Sequence, residues 1–332
     1  MRTDLRRFRR AVVFGGAGFV GSHLCDALLA AGTAVVCVDN FCTGDPGNIE
    51  HLIGRVDFDL IDHDVTRPLE PRPEFDGLDV VFHLASAASP RAYYRLPVET
   101  LRAGSLGTEH GLQLAERYGA RFVLASTSEV YGDPLVHPQV EEYVGHVNPI
   151  GPRSVYDEGK RYAEALTEAY RRSRATDTAI ARIFNSYGPR MRPDDGRMIP
   201  AFITQALAGE PLTISGSGRQ TRSVCHVSDT VTGLLALARS GESGPINLGN
   251  PVELSVLDVA RLIAELVGSD LQLEFGPSLA DDPRRRCPDI TRAATLLGWA
   301  PRVSVREGLA RTVEWFAVRR VAVVLPLIPK AG

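Results

Sequence analysis

The segment "YDEGKRYAEAL" places a tyrosine and a lysine, Tyr156 and Lys160, four residues apart. At this spacing two side chains lie on one face of a helix. A phenol with a pKa of about 10 is a poor base near neutral pH, but a neighbouring ammonium favours the phenolate. The pair is therefore suited to removing a proton from a substrate hydroxyl. Considered alone, the same spacing also fits an ordinary surface pair.

A second group of reactive side chains follows an apolar run. The segment "ASTSEVYG" ends that run with Thr127, Ser128 and Glu129. A hydroxyl and a carboxylate at the carboxyl end of a strand are compatible with several reactions. They are also compatible with structural roles, because Ser128 could satisfy backbone groups at the strand end and Glu129 could cap the following turn.

A glycine-rich turn near the start of the chain indicates a dinucleotide site. The segment "VVFGGAGFVGSHL" places Gly15, Gly18 and Gly21 between a predicted strand and a predicted helix. Glycines there permit the tight turn and the close approach of a pyrophosphate, and the helix N-terminus attracts that anion. Asp39 follows at the end of the next strand. Its carboxylate suits a ribose hydroxyl and repels a 2′-phosphate, so the sequence favours NAD over NADP.

The elements that must position these residues alternate between apolar strands and helical stretches. This rhythm predicts a parallel sheet covered on both faces. The predicted strands are Ala11 to Phe14, Ala34 to Val38, Phe58 to Ile61, Val80 to Leu84, Phe122 to Ala125 and Thr178 to Ile183. After residue 185 the chain changes to Gly/Pro-rich loops and shorter helices, which predict a substrate-binding region. The segment "GPINLGN" is predicted to return to the main sheet.

Two interleaved domains are expected from this pattern. Residues 10–184 and 223–250 are predicted to form the nucleotide-binding domain, and residues 185–222 and 251–318 the smaller substrate-binding domain. Residues 319–332 are predicted to form a C-terminal tail. No internal repeat or low-complexity linker interrupts the chain.

The composition argues against several classes of protein. The chain has 332 residues, 23% of them charged, and a net charge of −3, which gives no electrostatic basis for binding nucleic acid. Its five cysteines show no metal-ligand spacing, so we expect neither a disulfide framework nor a metal, and a reducing cytoplasm fits best. The basic start leads directly into the first strand, so no separate signal region is expected. The late apolar run "VAVVLPLI" is far shorter than the roughly 20 residues that span a bilayer, so no membrane role is expected.

Taken together, these motifs resemble a known family. The chain is similar to the extended short-chain dehydrogenase/reductases, and among them to the group that decarboxylates UDP-glucuronate. The resemblance runs from about Val12 to Phe316 and rests on many segments in one order, among them "GGAGFVGSHLCDALL", "DNFCTG", "ASTSEVYGDP", "VNPIGPRSVYDEGKRYAE", "RIFNSYGPRM", "SGSGRQTRS", "INLGNP", "DDPRRRCPDI" and "LGWAP". It implies a Rossmann-type doubly wound α/β fold with a smaller interleaved substrate domain. It also implies NAD as cofactor, UDP-glucuronate and UDP-xylose as ligands, and a homodimer.

The resemblance also assigns site residues. Catalytic roles are implied for Thr127, Ser128, Glu129, Tyr156, Lys160 and Arg286. Substrate contacts are implied for Tyr93, Asn185, Arg197, Arg222 and Arg286. The implied cofactor contacts are Gly15, Gly18, Phe19, Val20, Gly21, Asp39, Asn40, Phe41, Thr43, Gly44, Asp64, Val65, Leu84, Ala85, Ser86, Tyr156 and Lys160. For Asp64 the alternative is a solvated loop aspartate, and for the three arginines in "DDPRRRCPDI" it is a solvated face.

Thr-Ser-Glu helps to choose among reactions that all begin with oxidation of the sugar C4 hydroxyl. A 4,6-dehydratase usually carries Asp-Glu after the threonine, and the hydroxyl of Ser128 is a far weaker acid. A 4-epimerase has no obvious use for Glu129. A decarboxylase fits better, because a ketone at C4 turns glucuronate into a β-keto acid. Release of UDP-4-keto-pentose with NADH, UDP-sugar 4-epimerisation and a non-catalytic NAD-binding regulator stay open as alternatives.

Several residues depart from the family pattern, among them three in one segment. In "TLRAGSLGTEHGL", Ala103, Gly104 and His110 replace the Thr, Asn and Asn that are common in relatives. The lost amides are expected to alter cofactor or substrate contacts. Gly104 is expected to weaken a helix by up to about 1 kcal/mol, and His110 is expected to be structural.

Overall fold

The computed structural model describes residues 6–278 and 283–324, without the side chains of residues 320–324. Its strands are β1 (Arg10–Phe14), β2 (Ala34–Asp39), β3 (Phe58–Asp62), β4 (Val80–His83), β5 (Arg121–Thr127), β6 (Thr178–Ile183), β7 (Ser186–Tyr187), β8 (Leu212–Ser215), β9 (Thr221–Ser223), β10 (Cys225–His226), β11 (Ile246–Leu248), β12 (Glu253–Ser255) and β13 (Leu273–Gly276). All six predicted strands form, with small differences at their ends.

The helices connect and cover these strands. They are α1 (Phe19–Ala30), α2 (Pro90–Arg95), α3 (Pro97–Arg102), α4 (Thr108–Tyr118), α5 (Ser154–Arg174), α6 (Met198–Ala208), α7 (Val227–Arg239), α8 (Val256–Val267), α9 (Thr291–Leu297) and α10 (Val305–Val324). No helix among the described residues is long and apolar enough to cross a membrane. Residues 325–332, which include the second half of the run "VAVVLPLI", lie outside the described residues.

A seven-stranded parallel sheet forms the centre of the molecule, in the order β11-β6-β5-β4-β1-β2-β3. The strands are apolar on both faces because helices cover both sides. On β1, for example, Val13 belongs to one core cluster, whereas Val12 and Phe14 belong to the other. The predicted Rossmann-type fold is therefore confirmed, and so is the return of "GPINLGN", which supplies β11 beside β6.

The strand order reverses beside β1, which pairs with β2 on one side and β4 on the other. In open α/β sheets the carboxyl ends of strands leave a crevice at such a point, and ligands bind there. The glycine turn and Asp39 both lie at this edge, after β1 and at the end of β2.

A third core lies apart from the sheet. It joins α6, α8 and α10 with β8, through residues such as Phe202, Ile203, Ile263 and Leu309. Around it, β8 pairs with β13 and β9 pairs with β12. These elements come from the ranges predicted for substrate binding, although the division into 185–222 and 251–318 stays a prediction.

The segment that departs from the family pattern forms a π-helical turn, Ala103–Gly107, between α3 and α4. A Cβ atom on Gly104 would lie 2.8 Å from the carbonyl oxygen of Gly159 in α5. The missing side chain therefore permits a close approach between this turn and the helix of Tyr156. His110 lies on α4, and its Nδ1 is 2.9 Å from the carbonyl oxygen of Val65.

Candidate active site

A cavity of about 600 Å³ opens at the carboxyl ends of the central strands. It brings together residues that are far apart in the sequence. Of the predicted site residues, its walls include Gly15, Gly18, Phe19, Val20, Gly21, Thr43, Leu84, Ser86, Tyr93, Thr127, Glu129, Tyr156, Lys160, Asn185, Arg197, Arg222 and Arg286. Those that do not line it are Asp39, Asn40, Phe41, Gly44, Asp64, Val65, Ala85 and Ser128.

The glycine turn leaves no room for side chains. A Cβ atom on Gly21 would lie 2.0 Å from the carbonyl oxygen of Gly15, and one on Gly15 would lie 2.8 Å from the backbone nitrogen of Ala85. Gly15 also adopts a left-handed φ of 78°. This packing places the N-terminus of α1 at the cavity, where its N–H groups suit a pyrophosphate.

Asp39 ties the loop after β2 to the glycine turn. Its carboxylate accepts hydrogen bonds from the backbone N–H groups of Ala17 and Phe41, both at 2.9 Å. Burial raises the pKa of Asp39, and these two hydrogen bonds oppose the shift. The carboxylate thus shapes the end of the crevice next to the cavity, at the position where a Rossmann fold binds the adenosine ribose.

Tyr156 and Lys160 lie on the first turns of α5 and face the cavity. The Tyr156 ring stacks on Tyr93, with centroids 5.6 Å apart, and the nearby Thr127 side chain lowers the pKa of its phenol. The Nζ atom of Lys160 lies 6.0 Å from the centroid of the Tyr156 ring and donates a 2.8 Å hydrogen bond to the carbonyl of Ala125. The predicted pair therefore shares one wall of the cavity.

Glu129 lies next to this pair and is held by two guanidinium groups. Arg286 donates to both of its carboxylate oxygens, one of them at 3.2 Å. Arg153 donates to Oε2 at 2.7 Å. Burial favours the protonated acid, but the two guanidinium groups outweigh it and hold the pKa of Glu129 well below its usual value. Glu129 is therefore a carboxylate at neutral pH.

The side chain of Ser128 does not face the cavity. This residue is 1% exposed and lies between Thr127 and Glu129, both of which line the wall. Its predicted contact with the sugar stays a prediction.

The residues predicted to hold UDP, which are Asn185, Arg197 and Arg222, line the cavity and come from the chain after β6. Arg222 projects from β9, and Asn185 follows β6. The Nε atom of Arg197 donates to Asp195 at 2.7 Å, and its Cζ lies 5.6 Å from the ring centroid of Phe19. Arg197 thus lies beside Phe19, the first residue of α1, and both residues line the cavity.

Sequence reasoning did not single out Arg153. It is one of three buried charged residues around Glu129, with Arg286 and Asp157. A signal was present, because Arg153 precedes Tyr156 by three residues and one helical turn brings such positions to the same side. Arg153 could have been identified if the residues directly before the catalytic helix had been treated as part of the site.

A parallel sheet with a glycine turn at its switch point, an acidic residue after β2 and a buried Tyr-Lys pair define an NAD-dependent enzyme of the extended short-chain dehydrogenase/reductase type. The chain belongs to the NAD dependent epimerase/dehydratase family, whose model matches residues 11–249. NAD is therefore its cofactor, and the glycine turn and Asp39 supply a fitting site.

Comparisons with individual proteins are more specific. The chain is 54% identical over 308 residues to UDP-glucuronic acid decarboxylase 1 of Xenopus tropicalis, covering 93% of this chain and 72% of the relative. It is 52% identical to UDP-glucuronic acid decarboxylase 2 of Arabidopsis thaliana, covering 95% and 69%. Among solved structures, UDP-glucuronic acid 4-epimerase from Bacillus cereus, in complex with UDP-glucuronic acid and NAD, has a TM-score of 0.84 and 30% identity, covering 94% and 99% of the two chains.

Proposed function

We propose that this chain is an NAD-dependent UDP-glucuronate decarboxylase that forms UDP-xylose and carbon dioxide. The observation that carries the proposal is the arrangement of two pairs in one cavity: Tyr156 with Lys160, and Glu129 with Arg286. The first pair suits oxidation of an alcohol at the sugar C4. The second pair supplies charged groups for the chemistry at C5. The identity to relatives named as UDP-glucuronic acid decarboxylases supports the same substrate.

The chemistry follows from the position of the ketone. When bound, NAD supplies the hydride acceptor for oxidation at the sugar C4 and the donor for its reversal. With a ketone at C4, the bond from C5 to the carboxylate can break, because its electron pair passes into the C4 carbonyl and forms an enolate. One proton then returns to C5, and reduction at C4 completes UDP-xylose. No metal is needed for any of these steps.

Tyr156 is the proposed base for the C4 hydroxyl. Thr127 lines the same cavity wall as the phenol and lowers the phenol's pKa, so it is proposed to share the C4 oxygen with Tyr156. Lys160 is anchored to the strand carbonyl of Ala125, so its charge stays close to the phenol. The same phenol returns its proton to the C4 oxygen when the hydride returns.

Arg286 and Glu129 are proposed to act at C5. A guanidinium near the enolate oxygen stabilises the negative charge that develops as carbon dioxide leaves, and this contact gains strength in the transition state. Glu129 is held as a carboxylate and carries no proton to donate, so we assign it to holding the guanidinium of Arg286 in place after C4 oxidation, while solvent water supplies the proton that returns to C5. Tyr93, Asn185, Arg197 and Arg222 are proposed to hold the sugar and the UDP.

We also propose that the protein works in the cytoplasm as a homodimer. All five cysteines are free thiols, which fits a reducing compartment. Exposed apolar side chains cluster on α3, the π-helical turn and α5, at Val98, Leu101, Leu106 and Tyr162. Such a patch on neighbouring helices suits a two-fold helical interface.

One assay tests the activity and separates it from its rivals. Purified protein is incubated with UDP-glucuronate while carbon dioxide, the sugar product and the absorbance at 340 nm are followed. We expect carbon dioxide and UDP-xylose without net accumulation of NADH. Carbon dioxide with stoichiometric NADH would indicate release of UDP-4-keto-pentose, and UDP-galacturonate without carbon dioxide would indicate a 4-epimerase.

A further inference from the structure

Arg153 contacts Glu129 from a different part of the chain than Arg286. It directly precedes α5, one turn before Tyr156, and its side chain is 9% exposed. Its NH2 group donates to Oε2 of Glu129 at 2.7 Å. This contact joins the turn after β5 to the helix that carries the proposed base.

Arg286 is anchored differently. It lies between β13 and α9, and its NH2 group also donates to the carbonyl oxygen of Gly132 at 3.4 Å. Arg286 therefore belongs to the loops of the substrate-binding region. The carbonyl of Arg153 accepts a 3.0 Å hydrogen bond from the backbone N–H of Tyr156, so of the two arginines it is Arg153 that fixes Glu129 relative to the start of α5.

The charges around Glu129 indicate why two arginines are present. Glu129 interacts electrostatically with Arg153, Arg286 and the carboxyl group of Asp157. Its charge also acts on the phenols of Tyr93 and Tyr156. UDP-glucuronate brings a further carboxylate into this group. A guanidinium that turns towards that carboxylate weakens its bond to Glu129, so a second guanidinium is needed to keep Glu129 paired.

We propose that Arg153 is a positioning residue that holds Glu129 in place after C4 oxidation, while Arg286 engages the substrate carboxylate and the enolate. This role rests on the proposed decarboxylase function. Arg153 does not itself contact the reacting atoms in the proposal, and it acts through Glu129.

The test compares Arg153→Lys, Arg153→Met and Arg153→Ala with wild type. Single-turnover reactions with UDP-glucuronate separate C4 oxidation, read as transient NADH at 340 nm, from release of carbon dioxide. We expect Arg153→Met to change C4 oxidation less than about threefold and to slow carbon dioxide release by roughly 10- to 100-fold, since a misplaced catalytic group costs on this scale. Arg153→Lys is expected to recover part of the loss.

Two further readouts distinguish positioning from loss of structure. Guanidinium at millimolar concentration is expected to restore carbon dioxide release in Arg153→Ala. The acid limb of the kcat profile is expected to move to higher pH in Arg153→Met, because Glu129 loses a positive partner. Arg171→Met is the matched control, since Arg171 lies on α5 but is exposed and pairs with Glu168, away from the cavity.

Failure of the proposed role of Arg153 can be distinguished from failure of the proposed decarboxylase activity. If wild type releases no carbon dioxide from UDP-glucuronate, the decarboxylase assignment fails first. If wild type does release it, then equal slowing of both steps, absence of guanidinium rescue or an unmoved acid limb would overturn the role of Arg153 alone.

Discussion

The neighbours of Tyr156 shift the pKa of its phenol in opposite directions. Burial raises its pKa, the charge of Glu129 raises it further, and the nearby Thr127 side chain lowers it. Burial also lowers the pKa of the nearby Lys160 to about 8. These protein groups keep the phenol protonated at neutral pH. The predicted phenolate therefore depends on the added positive charge of the nicotinamide ring, which couples proton removal to cofactor binding.

Replacing Tyr156 by phenylalanine tests this residue directly. We expect Tyr156→Phe to lower the rate of C4 oxidation by about 10²- to 10⁴-fold, the range typical of a lost acid/base group. The stacked ring would remain, so NAD affinity measured by calorimetry is expected to stay within a few fold. Tyr162→Phe, on an exposed face of α5, is the control. A variant that still forms NADH at the wild-type rate would contradict the assigned base.

Sequence reasoning found the residues whose types alone suggest chemistry. The Tyr156 and Lys160 pair follows from helical spacing, whereas Glu129 and Arg286 depend on the family resemblance because they are 157 positions apart. No local pattern predicts that such distant residues meet. Arg153 was missed although its spacing from Tyr156 was a signal, since an arginine before a helix is ordinarily a surface residue.

The short turn after β5 orients the side chain of Glu129. Residues Ser128–Tyr131 form one 3₁₀ turn, which ends at Gly132 with φ 64° and ψ −140°. A side chain strongly disfavours this backbone conformation. A Cβ atom there would also lie 1.9 Å from the carbonyl oxygen of His146. The turn is therefore closed by a position that only glycine can occupy without rearrangement.

We expect Gly132→Ala to lower the free energy of unfolding by roughly 2–4 kcal/mol, the sum of backbone strain and overpacking. Activity should fall as well, because Glu129 lies in the same turn. The control is Gly241→Ala, where a Cβ atom would meet open space, and it should be nearly neutral. Urea unfolding of the two variants and wild type measures the difference. Equal stability of both variants would show that the turn is more pliable than its geometry indicates.

The start of α5 carries a buried acid next to the catalytic groups. Burial and the charge of Glu129 raise the pKa of Asp157 to about 7, from an ordinary value of 3.8. The folded protein thus binds this proton more tightly than the unfolded chain. The resulting stability is fully present below about pH 4 and is lost as the pH rises through about 7.

Asp157→Asn is therefore expected to remove this pH dependence. The free energy of unfolding of wild type, relative to the variant, should fall between about pH 4 and pH 7 and stay level above that range. Urea titrations at several pH values measure it. Glu158→Gln, at the part-exposed neighbouring position, is the matched control for removing an acid from the same turn of α5. A wild-type curve that runs parallel to Asp157→Asn would contradict the buried acid.

At the scale of the whole molecule, the sheet was predictable and the loops were not. Period-two and fully apolar runs, together with the need for crossover helices, define a parallel sheet from the sequence alone. The π-helical turn at Ala103–Gly107 was not predicted, because it depends on the approach of α5 to Gly104. Local propensity contains no information about that tertiary contact.

The proposed dimer interface is the remaining feature at this scale. In a two-fold interface each substitution occurs twice, so a single buried charge is costly on both sides. Tyr162 is 51% exposed on α5, among the apolar side chains of the neighbouring helices. We expect Tyr162→Glu to convert a dimer into monomers in light-scattering chromatography at micromolar concentration.

Val56→Glu is the matched control for that experiment. Val56 is fully exposed between β2 and β3, so the same charge there should leave the dimer intact. A monomeric wild type would overturn the homodimer itself, whereas a dimeric Tyr162→Glu would only move its interface away from α5. Because α5 also carries Tyr156 and Lys160, dissociation through this face is expected to lower kcat as well. Loss of the dimer with unchanged kcat would show that packing within one chain is enough to hold the catalytic helix.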